Sequence, residues 1–408
     1  MAPRRATAPA ARTKPKLRRN HELLPWYDQE VLRMCAEFGG IFNAHAHLDR
    51  AHTLEDTYLR HIGTTPLEAS SLPLSVKQNL VGDLHKGPAY TRENLTKRMS
   101  YAIDLQIAYG VTRLDTNIDA TPDLPDDGLL AINVALELKK KYAAQGFDLR
   151  IAPTPIFGFK HDENDRLSRW EVFAKAAEKC DYLSLLPEKD DYPKGSNPDG
   201  KVGFKRHIRM GMELACKLGK EVQFHLDQMN VPGECGTERL LDVLEVLDMP
   251  FVSGQKLPAP TVWIIHMISP SAYDELRFAR LIDRLLEFHV GVIVCPSAAL
   301  SMRQLRSIEA PTHNSIARVL ELVKRRVPIR LGTDNIADVF VPQGDGDMLT
   351  EIKIGGVGLR LNPPSIWAKL ASGKAPNNVD INGVGRILHE ERKANSNVGP
   401  PGWKPAVE

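Results

Sequence analysis

Eight short apolar segments, each ending in polar residues and most rich in β-branched ones, recur along this chain at a spacing that leaves room for one helix between neighbours. They are IFNAHAHLD (41–49), VTRLDTN (111–117), LRIAPTPIF (149–157), YLSLLPE (182–188), VQFHLD (222–227), VWIIHM (262–267), GVIVCPS (291–297) and IRLGTDN (329–335). Stretches with apolar residues at three- and four-residue steps separate most of them, among them LLAINVALELKKKYAA (129–144), KRHIRMGMELACKLGK (205–220) and AYDELRFARLIDRLLEFH (272–289). From the second segment on, successive starts lie 38, 33, 40, 40, 29 and 38 residues apart, the length of a strand, a helix and two loops. Eight such units predict an α/β fold closed as a TIM (β/α)8 barrel, with an open doubly wound sheet as the alternative.

The first gap is longer than the rest. It predicts an inserted loop over 51–91, of the kind that forms a lid or specificity element at a barrel's C-terminal face, followed by a helix over 92–110. A short helix is expected near 26–38. The domain layout that follows is a disordered basic tail over 1–20, a barrel over 21–390, and a C-terminal tail over 391–408, with the stretch beyond Asp334 read as a meandering surface segment.

Charge is balanced overall, 53 Lys+Arg against 51 Asp+Glu, but unevenly placed. Residues 1–19 carry seven basic groups and no acid, which leaves 46 basic groups against 51 acidic ones in the remainder. An Ala-, Pro- and Arg-rich segment buries too little apolar area to offset the entropy of ordering, so the tail is expected to be solvated, with organelle targeting left open. The acidic remainder argues against nucleic acid as a partner. No apolar run is long enough to span a bilayer, which argues against a membrane partner. Five scattered cysteines, with no CxxC pair, fit neither a disulfide framework nor a thiolate zinc site, so a reducing, cytoplasmic setting is expected.

The chemistry sits where the strands end. Residues two apart on a strand point the same way, so His45 and His47 project together from the first segment. His225 follows the apolar run of the fifth, His266 that of the sixth and Asp334 that of the eighth. In a barrel these five converge on one rim. Three neutral histidines and an aspartate suit Zn²⁺, with Fe, Mn or Co as substitutes, and such an ion lowers the pKa of its bound water to roughly 7.

These residues, in this order, resemble the amidohydrolase superfamily of metal-dependent barrel hydrolases. HAHLDR (45–50), TRLDTNID (112–119), FHLD (224–227), IIH (264–266) and TDNIADVFVPQGDGDM (333–348) carry the likeness, which is strongest to the cytosine deaminase branch and its triazine-degrading members. The resemblance implies one catalytic metal held by His45, His47, His225 and Asp334. It gives His266 the task of polarising the bond under attack, and Asp334 that of moving a proton from the attacking water to the leaving nitrogen. Arg50, Gln228 and Asn335 are expected substrate contacts, and so is Asp227, which shares strand parity with His225 and is expected to point into the site.

Three departures limit the likeness. Cytosine deaminases carry a Glu three residues after the fifth-strand His, where this chain has Gln228, and an amide has no proton to give. The third-strand Gln that reads cytosine is replaced within PTPIFGF (153–159), which makes cytosine a poor candidate substrate. The β-sandwich domain of most relatives has no counterpart in the flanking sequence, so oligomer contacts are expected to replace part of that burial. Glu188-Lys189 stands where binuclear relatives bridge two ions, but reads as a solvated loop-end pair. Cys295 reads as core and Ser297 as a residue of the pocket wall.

The expected activity is hydrolysis of a C–N bond in a small cyclic nitrogen compound: deamination or dealkylamination of a pyrimidine-, triazine- or pterin-like ring. Hydrolysis of an amide or cyclic amide is the alternative within the same class. A catalytically silent barrel that binds a ligand is the alternative outside it.

Overall fold

A computed structural model of the chain describes residues 23–197, 199–231, 233–247, 261–301 and 314–395. The expected tail over 1–20 and most of the C-terminal tail lie outside the described residues. All eight predicted segments contain a strand: β1 (Ile41–Ala46), β2 (Val111–Asp119), β3 (Asp148–Thr154), β4 (Leu183–Leu185), β5 (Val222–Leu226), β6 (Val262–His266), β7 (Val290–Val294) and β8 (Ile329–Leu331). Parallel pairing runs β1-β2-β3 and β4-β5-β6-β7-β8. The two seams close the barrel. Asp181 N donates to Ile151 O at 2.8 Å between β3 and β4, and Asp334 N donates to His45 O at 2.9 Å between β8 and β1.

Burial on both faces explains the near-continuous apolar strands. Every residue of β1, β5, β6 and β7 is buried, as expected for a parallel sheet enclosed by helices. The β8–β1 seam depends on a glycine: a Cβ at Gly332 would stand 2.7 Å from the His45 Cβ and 2.9 Å from its backbone nitrogen.

The helices are α1 (Trp26–Glu37), α2 (Asp56–Leu59), α3 (Pro66–Ser70), α4 (Leu74–His85), α5 (Arg92–Ala108), α6 (Leu130–Ala143), α7 (Ser168–Lys179), α8 (Phe204–Leu218), α9 (Gly236–Val246), α10 (Glu275–Glu287), α11 (Pro296–Ser301), α12 (Val319–Lys324), α13 (Met348–Leu359), α14 (Pro364–Ala371) and α15 (Asn378–Asn395). In α10 the Asp274 carboxylate accepts from Arg277 N at 2.8 Å, and Phe278, Leu281, Ile282 and Leu285 form its buried stripe. At roughly 1.5–3 kcal/mol per buried large apolar side chain, that stripe outweighs the helix's weak intrinsic stability. Among the described residues no helix is long and apolar enough to cross a membrane.

The region beyond Asp334 corrects the expected surface meander. It forms α13, α14 and α15, and the last of these continues past residue 390 to Asn395. Trp367 is fully buried and its indole N–H donates to Leu361 O at 2.6 Å. The glycines of IGGVG look like helix breakers in sequence but serve packing: a Cβ at Gly355 would meet the Trp367 ring at 2.6 Å. The α14 helix packs on α1, with Cys35 Sγ 3.7 Å from Ala368 O. Among the described residues every strand belongs to the barrel.

Candidate active site

The strand ends bring His45, His47, His225, His266 and Asp334 together, all buried. Asp334 Oδ1 lies 3.3 Å from Nε2 of both His45 and His47, and its Oδ2 lies 3.8 Å from His266 Nε2. Ring centroids of His45 and His225 are 4.9 Å apart, and those of His47 and His225 5.6 Å. His266 (φ 82°) and Asp334 (φ 58°) both occupy the left-handed region, which side-chain-bearing residues rarely adopt. Strain of that kind persists only where surrounding structure imposes it, and it concentrates at functional sites.

Electrostatics favour neutral imidazoles at His47, His225 and His266 and an ionised carboxylate at Asp334. Burial alone would raise the Asp334 carboxyl, but the imidazoles of His45, His47 and His266 close beside it hold it well below the usual range. Burial, with Arg50 nearby, lowers His47 to about 3. Burial, with His45 beside it, puts His225 well below its ordinary value, and burial brings His266 to about 4. Neutral imidazole and carboxylate are the forms that bind a divalent ion.

A metal fits these residues. His45 Nε2, His225 Nε2 and Asp334 Oδ1 are buried without a hydrogen-bond partner, a costly condition that a cation would relieve. Ligand atoms within the sets His45, His225, His266 and His45, His47, Asp334 all lie within 4.8 Å of one another. Among the described residues Glu188 belongs to no such set; its Oε1 accepts from Asp227 N at 2.8 Å.

Behind the cluster lies a layer that the sequence reading did not assign. Asn117, on β2, places its Nδ2 3.3 Å from His45 Nδ1 and donates to Ser184 Oγ at 2.8 Å. That hydroxyl lies 3.5 Å from His225 Nδ1, and Tyr182 OH donates to Asn117 Oδ1 at 2.8 Å. Such contacts to the far nitrogen fix ring orientation. TRLDTNID carried the signal for Asn117, at the strand position that points into the barrel.

The cavity beside the cluster is lined by Arg50, Gln228 and Asn335. Leu74 and Gln78 of α4 line it as well, together with Thr154, Ile156, Leu186 and Phe340. The inserted segment thus supplies part of the wall. Arg50 forms a bidentate pair with Asp119, Nε to Oδ2 at 3.1 Å and Nη2 to Oδ1 at 2.6 Å. Gln228 Nε2 points to Glu188 Oε2 at 3.4 Å, and Asn335 Nδ2 donates to Asp338 at 2.5 Å.

Asp227 corrects the expected substrate contact. Its carboxylate accepts from Gly236 N at 2.6 Å, Thr237 N at 2.9 Å and Thr237 Oγ1 at 2.5 Å, so it caps α9. A left-handed backbone at Asp227 (φ 55°) turns the side chain out of strand alternation, which is why parity misplaced it. Ser297 likewise leaves the wall: its backbone N–H and hydroxyl donate to Glu351 at 2.8 and 2.5 Å.

No family model matches the chain. An uncharacterised protein of Haemophilus influenzae is 26% identical over 292 residues, which is 70% of this chain and 91% of that protein. Among solved structures, 5-methylcytosine deaminase from Klebsiella pneumoniae, liganded with 5-fluorocytosine, matches with a TM-score of 0.64 at 21% identity, over 85% of this chain and 82% of its own. N-isopropylammelide isopropylaminohydrolase from Burkholderia multivorans matches at 0.58 and 18%, over 86% and 74%. A zinc-bound adenosine deaminase from Xanthomonas campestris matches at 0.53 and 16%, over 84% and 68%. At these identities the likeness is one of fold: the chain shares its (β/α)8 barrel with these structures.

Proposed function

We propose that this chain is a metal-dependent hydrolase cleaving the C–N bond of a small cyclic nitrogen compound, by deamination or dealkylamination of a pyrimidine-, triazine- or pterin-like ring. One observation carries the reading: histidines and an ionised aspartate, several with unpartnered buried ligand atoms, converge beside a cavity. The fold neighbours support it, since they include a cytosine-type deaminase and a triazine-ring aminohydrolase.

His45, His47, His225 and Asp334 would hold the ion, with zinc the leading choice in view of the zinc-bound neighbour. When bound, a divalent ion supplies Lewis acidity and an activated water. Asp334, ionised and at the cavity wall, accepts a proton from the attacking water and returns it to the leaving nitrogen. His266, a neutral donor on the same wall, hydrogen-bonds the oxygen on which charge develops. Arg50, Gln78 and Gln228 orient the ring by hydrogen bonds to its polar edge.

Gln228 favours a second reading, hydrolysis of an amide or cyclic amide, because that bond needs less prior protonation of a ring nitrogen. Five unpaired cysteines accord with work in a reducing compartment such as the cytoplasm. Elemental analysis of the purified protein, followed by a heterocycle and cyclic-amide panel scored for ammonia, amine or ring-opened acid, tests both. Stoichiometric metal with amine release supports the first. A metal-free, inactive protein overturns both.

A further inference from the structure

One carboxylate on the rim serves two elements at once. Asp119, the last residue of β2, grips Arg50 through both oxygens, and its Oδ2 also lies 3.1 Å from Nε2 of His85. His85 is the final residue of α4, and α4 sends Leu74 and Gln78 into the cavity. Asp119 and His85 are completely buried at their side chains. The base of the insert has its own clamp: Arg98 donates to Asp49 O, Ala51 O and Ala89 O at 2.8, 2.7 and 2.6 Å. The His85 contact therefore does not close the loop; it sets where α4 lies relative to Arg50.

The two donors differ in origin. Arg50 follows the metal-site strand, while Gln78 is seven residues before His85 on a separate helix. Among the described residues Arg50 uses Nε and Nη2 on Asp119 and makes no hydrogen bond through Nη1. A guanidinium held from behind in a rigid fork presents its remaining N–H groups in a fixed direction. Gly82 lets α4 approach the opposite wall, where a Cβ would stand 3.2 Å from the Phe157 ring, and the His85 ring packs on Tyr90 with centroids 4.4 Å apart.

We propose that Asp119 is a positioning residue that couples the insert helix α4 to substrate recognition, delivering Arg50 and Gln78 together to an oxygen-bearing edge of the ring. This deepens the hydrolase reading and rests on it for the identity of the cavity as the substrate site. The substrate class it selects is a ring with a carbonyl oxygen rather than a bare heteroaromatic.

The test measures, in the metal-loaded full chain, dissociation constants for uracil and for pyrimidine, two rings that differ in the oxo groups. Wild type is expected to prefer uracil by about tenfold or more, as a charge-assisted hydrogen bond implies. His85→Phe keeps the ring packing but loses the bond, and should cut that preference by about tenfold while hydrogen exchange rises across 74–85. His85→Gln retains a donor at similar reach and should restore both. Asp119→Asn should match His85→Phe, and the double variant should add nothing, as for two parts of one linkage. A role confined to stability would weaken both ligands equally and leave the ratio unmoved. No uracil preference in wild type, or an unchanged ratio in His85→Phe, overturns the inference. Failure of the hydrolase reading looks different: no C–N turnover on any ring, whatever the binding ratio.

Discussion

Asp334 Oδ1 stands 3.3 Å from His47 Nε2, a close approach between a carboxylate held ionised and an imidazole held neutral. Under the proposed function both members hold the ion, which separates them from His266.

His266→Ala should lower turnover by a factor on the order of a hundred to a thousand while leaving most of the bound metal, because it removes an oxygen-stabilising donor and not a proposed ligand. Asp334→Ala should lose turnover by at least as much and metal as well. Parallel metal analysis and steady-state kinetics on the two variants check this. Equal metal loss in both would make His266 a ligand.

Gln228→Glu should bring back the missing acid. The new carboxyl would face Glu188, which burial and the nearby Glu234 and Asp227 already hold well above its ordinary range. Two such groups cannot both ionise, so one proton stays in the cavity near neutral pH. Deamination of cytosine is expected to rise by about tenfold or more and to fall as pH rises through loss of that proton. A folded, metal-loaded variant with unchanged cytosine turnover would sink the assignment of Gln228 to the acid's position.

Glu351 predicts a pH dependence of stability. Its carboxyl is buried beside Ser297 and burial raises it to about 8, above the unfolded value near 4.5. Between those values the folded chain binds more protons than the unfolded one, so this group's contribution to stability falls as pH rises from about 5 to about 8 and then levels. Glu351→Gln should flatten the Tm-versus-pH curve across that window, by an amount equivalent to roughly 1 kcal/mol or more. An identical slope in wild type and variant would refute the assignment.

Trp367→Ala should destabilise by about 3–5 kcal/mol, since it empties a fully buried site under α13. Urea unfolding midpoints measure it. A loss within about 0.5 kcal/mol, the range of surface substitutions, would restore the picture of a peripheral C-terminal segment.

The barrel and its cluster of histidines and aspartate were legible because they rest on local signals. Apolar runs marked the strands, and each of His45, His47, His225, His266 and Asp334 lay at the end of one. Period-two alternation placed His45 and His47 correctly but misplaced Asp227, where a left-handed residue breaks the alternation. Gln78, His85 and Asp119 were not assigned because their roles depend on how α4 folds back across the rim, a tertiary choice with no periodic trace. The C-terminal helices were hidden for the opposite reason: glycines that admit the Trp367 ring have the same appearance in sequence as glycines that end a helix.

The bare backbone of Gly332 against His45 has a consequence for how this molecule comes apart. The strand that shuts the cylinder lies directly against His45, a proposed ligand, so opening the seam would displace a residue of the ion site as well. Even a methyl group placed there would be felt in both at once, and under the proposed function a bound cation would rivet the fold as well as serve its chemistry.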